Sequence, residues 1–444
     1  MIRWTVEQVA EAAGARIVQQ PPRPEDPAAP GPTRAVIGSD DVTPGALFVG
    51  LPGANVDGGS FAAKALARGA WGVLVGTDHA VAATGSLPGA VLATDDPLLA
   101  LQRLATAWRR ALGAAGATVI GVTGSTGKTT TKELVAAMGR SVASTHATAA
   151  NFNTEIGLPL TVLAAPEGTR LLVLEMAMRG AGQIAELATI AEPEIGIVVN
   201  VGPAHLEQLG SIEAIAAEKG SLLDHLPRGG TAIAPADEPL LAPHRRDGVR
   251  WVTFGPGGES TVEALPEALG LADRPAHVQL DAAAALAAVR AAGLEPVGPL
   301  DAIPGAGRGV EHPGVAGSTI IDDCYNANPM SMRAALSDLA RRDVPRRVAV
   351  LGDMLELGDG EHDHHVALGT LASDAHVGLL ATVGPRARAA SEAFDGELLA
   401  FDTAADAAAA LPAHIGSGDA VLVKGSRGVG LEIVVDALTG EQER

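Results

Sequence analysis

The chain has 444 residues, of which 52 are acidic and 32 basic, for a formal charge of -20. At ~150 residues per domain this length predicts about three domains, and 47% hydrophobic with 19% charged residues is the composition of a folded protein. The negative charge disfavours a nucleic-acid partner or an anionic membrane, and the single cysteine, Cys324, excludes an internal disulfide or a metal centre built from thiolates, which fits a reducing cytosol.

The N-terminal stretch carries Glu7 and Glu11 where a secretory signal would need an apolar run. No later apolar run approaches the ~18 residues that span a bilayer, so a cytoplasmic protein without an integral membrane segment is expected. Aromatic residues are only 2%, and cores packed from Ala, Val, Leu and Ile suit buried parallel strands. The proline-rich segment Pro21 to Thr33 reads as a loop. Apolar Ala46 to Gly50, helix-like Ser60 to Ala70 and apolar Trp71 to Gly76 follow, an α/β alternation that ends near Gly113 to Gly116.

From Thr118 the alternation sharpens. Strand-like TVIGV, the helical TTTKELVAAMG, a strand over Leu171 to Glu175, a helix over Gln183 to Ala191 and a strand over Ile195 to Asn200 predict a parallel sheet covered on both faces. A glycine- and proline-rich break lies at Glu295 to Gly309, beyond which STIIDD, RRVAVLGD, VGLLATVG and DAVLVKG alternate with helices. The predicted fold class is α/β in three domains, residues 1–113, 114–306 and 307–444. The central one is a phosphate-loop domain with a mostly parallel sheet, and the last is Rossmann-like.

The run TVIGVTGSTGKTTTKEL places a buried strand, a glycine-rich turn and a helix start in succession. Backbone amides and the helix N-terminus of such a turn surround a phosphate, with Lys128 reaching the terminal phosphates and the Thr129 hydroxyl facing Mg2+. The spacing GxxxxGK[ST] is not met, because five residues separate Gly121 from Gly127. The core Thr123, Gly124, Ser125, Thr126, Gly127, Lys128, Thr129 and Thr130 nevertheless keeps every group that the chemistry needs. A ligand-free turn is the plain alternative, but a lysine followed by threonines at a helix start has little structural purpose.

These residues resemble the Mur ligase family, which uses TGxxGKT[ST] in place of the usual spacing. NFNTEIGLPLT from Asn151, EMAMRGAGQI from Glu175, NVGPAHLEQLGS from Asn200 and IAAEKGSLL from Ile215 are similar to further family motifs, in the family's order. In the last third, DDCYNANPMSMRAAL, LGDMLELG and VLVKGSRGVGLE look like the members that add D-alanyl-D-alanine to UDP-N-acetylmuramoyl-tripeptide. The resemblance implies an N-terminal UDP-sugar-binding domain, ATP and Mg2+ as cofactors, and those two compounds as partners of a monomer. ATP would phosphorylate the substrate carboxylate, and the dipeptide amine would attack the resulting acyl phosphate.

The resemblance also implies roles. Lys128, His205 and Lys219 would be catalytic. Thr129 and Glu175 would hold one Mg2+, while His205 helps hold a second. Lys219 would carry CO2 as a carbamate, an anionic oxygen donor suited to Mg2+; this needs a neutral amine, hence burial or nearby positive charge. Arg308 would contact nucleotide phosphate when the domains close, and Asp323 and Asn328 would contact ribose or adenine. Ser39, Asn151, Asn153, Lys424, Ser426 and Arg427 fall on substrate-binding elements, and His365 follows the LGDMLELG element. Each has a plain counterpart: a solvated strand end for Glu175, a solvated loop for His205, a surface lysine for Lys219, a linker charge for Arg308 and a turn former before proline for Asn328. His362 to His365 reads as a helix start rather than a metal tract.

Several positions depart from the family pattern. Gly38, Ser39 and Asp40 stand where Asp-Ser-Arg is usual, Gly59 replaces a histidine, and Val278 and Asp281 replace two asparagines. Three alternatives stay open at this point. They are the amino-acid-adding member of the preceding step, whose DNPR motif is absent where YNANPMS stands, a folate-adding ligase, and a phosphate-loop ATP-binding switch without ligation, which leaves His205 and Lys219 without a role.

Overall fold

The computed structural model describes residues 4–21, 31–85, 87–300 and 309–440. Three sheets follow one another along the chain, each in its own domain. The first has the strand order Arg16–Gln19, Ala90–Thr94, Gly72–Gly76, Ala46–Val49, Arg34–Val36. Only its Arg16–Gln19 edge is antiparallel. The central sheet runs Arg250–Phe254, Thr231–Pro235, Ile195–Val198, Thr118–Thr123, Leu171–Glu175, Thr145–Ala147, all parallel. The third runs Val310–Pro313, Thr319–Asp322, Ala420–Lys424, Arg347–Gly352, Val377–Val383, Glu397–Phe401. Its Val310–Pro313 edge is antiparallel, since a five-residue link to the next strand is too short for a parallel crossover.

The central strands are apolar on both faces because both are covered. Along Leu171–Glu175, Leu171 and Val173 pack with Leu134 of helix Lys128–Arg140 and Ala284 of helix Ala276–Ala291. Leu172 and Leu174 turn the other way, toward Ile184, Leu187 and Ile215. Ala282 to Ala285 are fully buried, and their small side chains let helix Ala276–Ala291 lie close to helix Lys128–Arg140. The chain reverses direction across the sheet at Thr118–Thr123, with its sequence neighbours on one side and Ile195–Val198 on the other. Ligands bind at the C-terminal strand ends of such a switch point.

Helix Pro97–Ala114 starts at an Asp96 cap, whose side chain accepts from the Leu99 N–H, with Pro97 at its first position. It carries Leu101, Leu104 and Trp108 into a core shared by the first and central domains. Trp108 is fully buried and donates through Nε1 to the Ala165 carbonyl at 3.2 Å. The two cores of the C-terminal domain, by contrast, draw on no residue before Val315 among the described residues.

The predicted elements shift in places. Ser60 to Ala70 splits into a tight turn Gly58–Phe61, begun by Asp57 accepting from the Gly59 N–H, and a short helix Ala62–Ala67. The strand expected to Asn200 ends at Val198, which frees Asn200 for side-chain work. Most of the Pro21 to Thr33 loop and Arg308 lie outside the described residues. Among the described residues no helix is long and apolar enough to cross a membrane.

Candidate functional site

A cavity of about 1740 Å³ opens where the three domains meet, lined by Arg34 and Asp41 of the first, the phosphate loop of the second, and Asn328 and Arg427 of the third. The loop leaves the strand at Thr123, whose buried hydroxyl donates to the Met176 carbonyl at 3.0 Å. Gly124 lies flush against the neighbouring strand end, where a Cβ would come within 2.9 Å of that of Val199. Gly127 sits at φ +74, a conformation that a side chain disfavours. From there helix Lys128–Arg140 begins, with its first turn on the cavity wall. Lys128 folds back to donate to the Gly124 carbonyl at 2.8 Å, and Thr130 lies on the wall beside it.

Asn200 braces the loop: its Oδ1 accepts from the Ser125 and Thr126 N–H groups at 3.0 and 2.9 Å, and its Nδ2 donates to the Thr126 hydroxyl at 2.9 Å. The sequence by itself gives Asn200 no role, although an asparagine just past a parallel strand next to the loop strand is a signal for one. Glu175 ends its strand almost fully buried. Thr129 donates to one of its oxygens at 2.7 Å and the Asn153 amide to the other at 2.8 Å. Asn151 lines the same wall.

These are hard oxygen donors of the kind Mg2+ prefers. Among the described residues no three His, Cys, Asp or Glu side chains cluster to hold a metal by themselves. The donor set therefore fits Mg2+ shared with nucleotide phosphates, the usual manner for this ion.

His205 lines the cavity, and its Nδ1 meets Glu356 of the C-terminal domain at 2.5 Å. Burial first, and then the Lys128 charge, lowers its proton affinity, while Glu356 opposes the shift. Lys219 is almost completely buried on helix Ile212–Asp224 and lies behind the cavity wall rather than on it. Burial first, then the Lys128 charge, holds its amine well below the ordinary lysine range. Its neighbour Glu218 accepts from the Gly182 and Ile184 N–H groups, both at 2.7 Å, capping helix Gln183–Ala191.

The C-terminal domain adds an ion pair between Lys424 and Asp323 at 2.7 Å, with Lys424 also donating to the Asn326 carbonyl at 2.9 Å. The Ser426 hydroxyl accepts from the Leu355 N–H at 3.0 Å, and the Arg427 guanidinium lies 5.5 Å over the Tyr325 ring. Asn328 caps helix Pro329–Ala340 and donates across the domain boundary to the Ser125 carbonyl at 3.4 Å, so it touches the phosphate loop itself. Ser39 is absent from the cavity wall, although Ile37 and Asp41 on either side line it. Asp40 turns to Lys64 at 2.9 Å. His365 is buried away from the cavity, accepting from the Met354 N–H and bonded to the Glu361 carbonyl, and so it braces the LGDMLELG turn. Arg308 cannot be placed, lying outside the described residues.

Fold and site together define a three-domain α/β protein with a phosphate loop at the junction of its domains. The chain matches three family models over its length: "Mur ligase family, catalytic domain" at residues 34–112, "Mur ligase middle domain" at 122–271 and "Mur ligase, glutamate ligase domain" at 307–427. It belongs to the Mur ligase family. A UDP-N-acetylmuramoyl-tripeptide--D-alanyl-D-alanine ligase of Mycobacterium tuberculosis is 38% identical, covering 99% of this chain and 98% of its own. One of Bacillus subtilis is 35% identical over 88% of this chain and 90% of its own. Among solved structures, MurF from Acinetobacter baumannii superposes with a TM-score of 0.83 at 28% identity, covering 99% of both chains. MurF ligase from Thermotoga maritima in complex with ADP does so with 0.77 at 29%, over 92% of this chain and 97% of that one.

Proposed function

We propose that this chain is an ATP-dependent ligase that joins D-alanyl-D-alanine to UDP-N-acetylmuramoyl-tripeptide in cytoplasmic peptidoglycan precursor synthesis. The observation that carries the reading is one cavity to which all three domains contribute, on a chain aligned nearly end to end with relatives named for that ligation. Such a cavity can bring a nucleotide, an activated acid and an amine together and keep water from the acyl phosphate.

In this reading the phosphate-loop amides hold the triphosphate and Lys128 swings from the Gly124 carbonyl to the terminal phosphate. Thr129 and Glu175 would hold Mg2+, with His205 and a carbamylated Lys219 at a second ion. The ions supply charge neutralisation on the transferring phosphoryl group. Lys219 suits carbamate formation because burial favours the neutral amine, the form that attacks CO2. Asn151, Asn153, Lys424, Ser426 and Arg427 are assigned to the two substrates, and Asp323, Asn328 and Arg308 to the nucleotide, while Ser39, off the cavity wall, is given no contact.

The test is phosphate release by the purified chain with ATP, UDP-N-acetylmuramoyl-tripeptide and alternative acceptors. Release should require D-alanyl-D-alanine, and Lys128→Ala should lower it by ~10²-fold or more. Equal or better turnover of a free diamino acid on the dipeptide precursor would move the protein to the preceding step. Retention of half the wild-type kcat by a folded Lys128→Ala variant would refute the role of that lysine.

A further inference from the structure

The contact between His205 and Glu356 joins residues 151 positions apart in two domains. With Glu356 Oε2 as the acceptor, the 2.5 Å contact places the ring hydrogen on Nδ1. Nε2 is then the bare nitrogen, the one able to bind a cation. Both residues are non-glycine and both sit in the left-handed region, His205 at φ 61 and Glu356 at φ 64. Conformations of this kind persist where the surroundings hold them, and they gather at functional sites.

The backbones meet as well. The Glu207 N–H donates to the Glu356 carbonyl at 3.3 Å, and Gly358, at φ +65, lies alongside, where a Cβ would be in ordinary contact with the Glu207 Cα at 3.5 Å. The turn is anchored on its own side by the Met354 N–H donating to His365 Nε2 at 2.9 Å and the Leu355 N–H donating to Ser426 at 3.0 Å. A rigid turn of one domain therefore seats a carboxylate on the ring of a loop histidine in the other.

We infer that Glu356 is a positioning residue for the reaction: across the domain boundary it fixes the ring orientation and tautomer of His205 so that Nε2 is presented to the cation beside the phosphates. The inference rests on the proposed reading of His205 as a cation ligand. Histidines that bind metals commonly donate their second N–H to a carboxylate, and loss of that partner typically weakens metal affinity or activity about 10- to 100-fold. Because Glu356 belongs to the C-terminal domain, the oriented histidine exists only when the two domains are together. Closure and assembly of the cation site are then one event.

The experiment uses the full chain with 15N-labelled histidine, the His205 signals assigned by their loss in His205→Ala, with ADP present and Mn2+ as the probe. In the wild type His205 should be the Nδ1–H tautomer, and Mn2+ should broaden its Nε2 signal. Glu356→Gln, whose amide oxygen still accepts from Nδ1–H, should keep the tautomer. Glu356→Ala should give a mixture of tautomers, need about 10- to 100-fold more Mn2+ for the same broadening, and lose kcat rather than raise the KM for ATP. An unchanged tautomer and Mn2+ titration in Glu356→Ala would overturn the role of Glu356 alone. Absence of Mn2+ broadening at His205 in the wild type would overturn the cation reading of His205 and the inference with it.

Discussion

The two domain boundaries of this protein are built from different materials. Between the first and central domains runs a continuous apolar core, with Leu47 and Leu92 of the first sheet and Leu172 and Leu174 of the central sheet clustered around helix Pro97–Ala114. Between the central and C-terminal domains no such core runs among the described residues: Met330 packs against Gly202, and the remaining contacts are largely polar, among them Asn328 to Ser125, His205 and the Glu207 N–H to Glu356, and His277 to Asp338 at 3.2 Å. Burial of apolar area holds two parts in one arrangement without reference to a ligand. Polar contacts around a cavity are individually weak and exchange readily with water. The first boundary therefore serves stability and the second serves the site.

The largest expected effect is at the apolar boundary. Trp108 is fully buried, stands edge-on to Trp4 with ring centroids 5.5 Å apart, and donates to Ala165. Trp108→Ala should destabilise the protein by about 3–5 kcal/mol, as loss of a large core ring does, seen as a lowered midpoint in urea unfolding. A change no larger than that of an exposed substitution would break the contrast.

An intermediate effect is expected at Asp281, on the cavity side of the central domain. A Cβ on Gly127 would lie 2.8 Å from each Asp281 oxygen, so the carboxyl is pressed against the start of the phosphate-loop helix. Burial raises its proton affinity well above that of an ordinary aspartate. The folded state thus keeps a proton that the unfolded chain loses near pH 4. Unfolding releases that proton, and stability falls as pH rises above that point. Asp281→Asn, neutral at every pH, should gain on the order of 1 kcal/mol at pH 8 and gain nothing near pH 4. Urea unfolding at the two pH values checks this, and a gain of equal size at both would contradict a buried neutral acid.

The smallest effect is expected for His277→Ala at the polar boundary. The His277 side chain is half exposed, and its pair with Asp338 joins two surfaces that water already reaches. Stability should change by less than about 1 kcal/mol. Small-angle scattering of the free protein should show a more open average shape if the boundary is as loose as its polar contacts imply, and an unchanged profile in 1 M salt would argue for a firmer one.

How legible the site was depended on locality. The phosphate loop could be read because strand, glycine turn, lysine and threonines are contiguous from Thr118 to Thr130, and their chemistry needs them in that order. Glu175 was readable as a charge ending an apolar strand. Glu356 was not, since nothing in LGDMLELG points to a histidine 151 positions earlier. Ser39 illustrates the converse, because its segment was recognised while the side chain stands off the cavity that Ile37 and Asp41 line.

By itself the sequence determined the three α/β domains, the parallel central sheet and the phosphate loop, because hydrophobic period, turn residues and helix starts act over a few neighbouring residues. Only the tertiary structure decided what surrounds the loop. Burial of Lys219, the bracing of Ser125 and Thr126 by Asn200, and the reach of Glu356 to His205 depend on segments far apart in the chain. Desolvation and hydrogen-bond geometry are properties of those meetings, and no local pattern of residues encodes them.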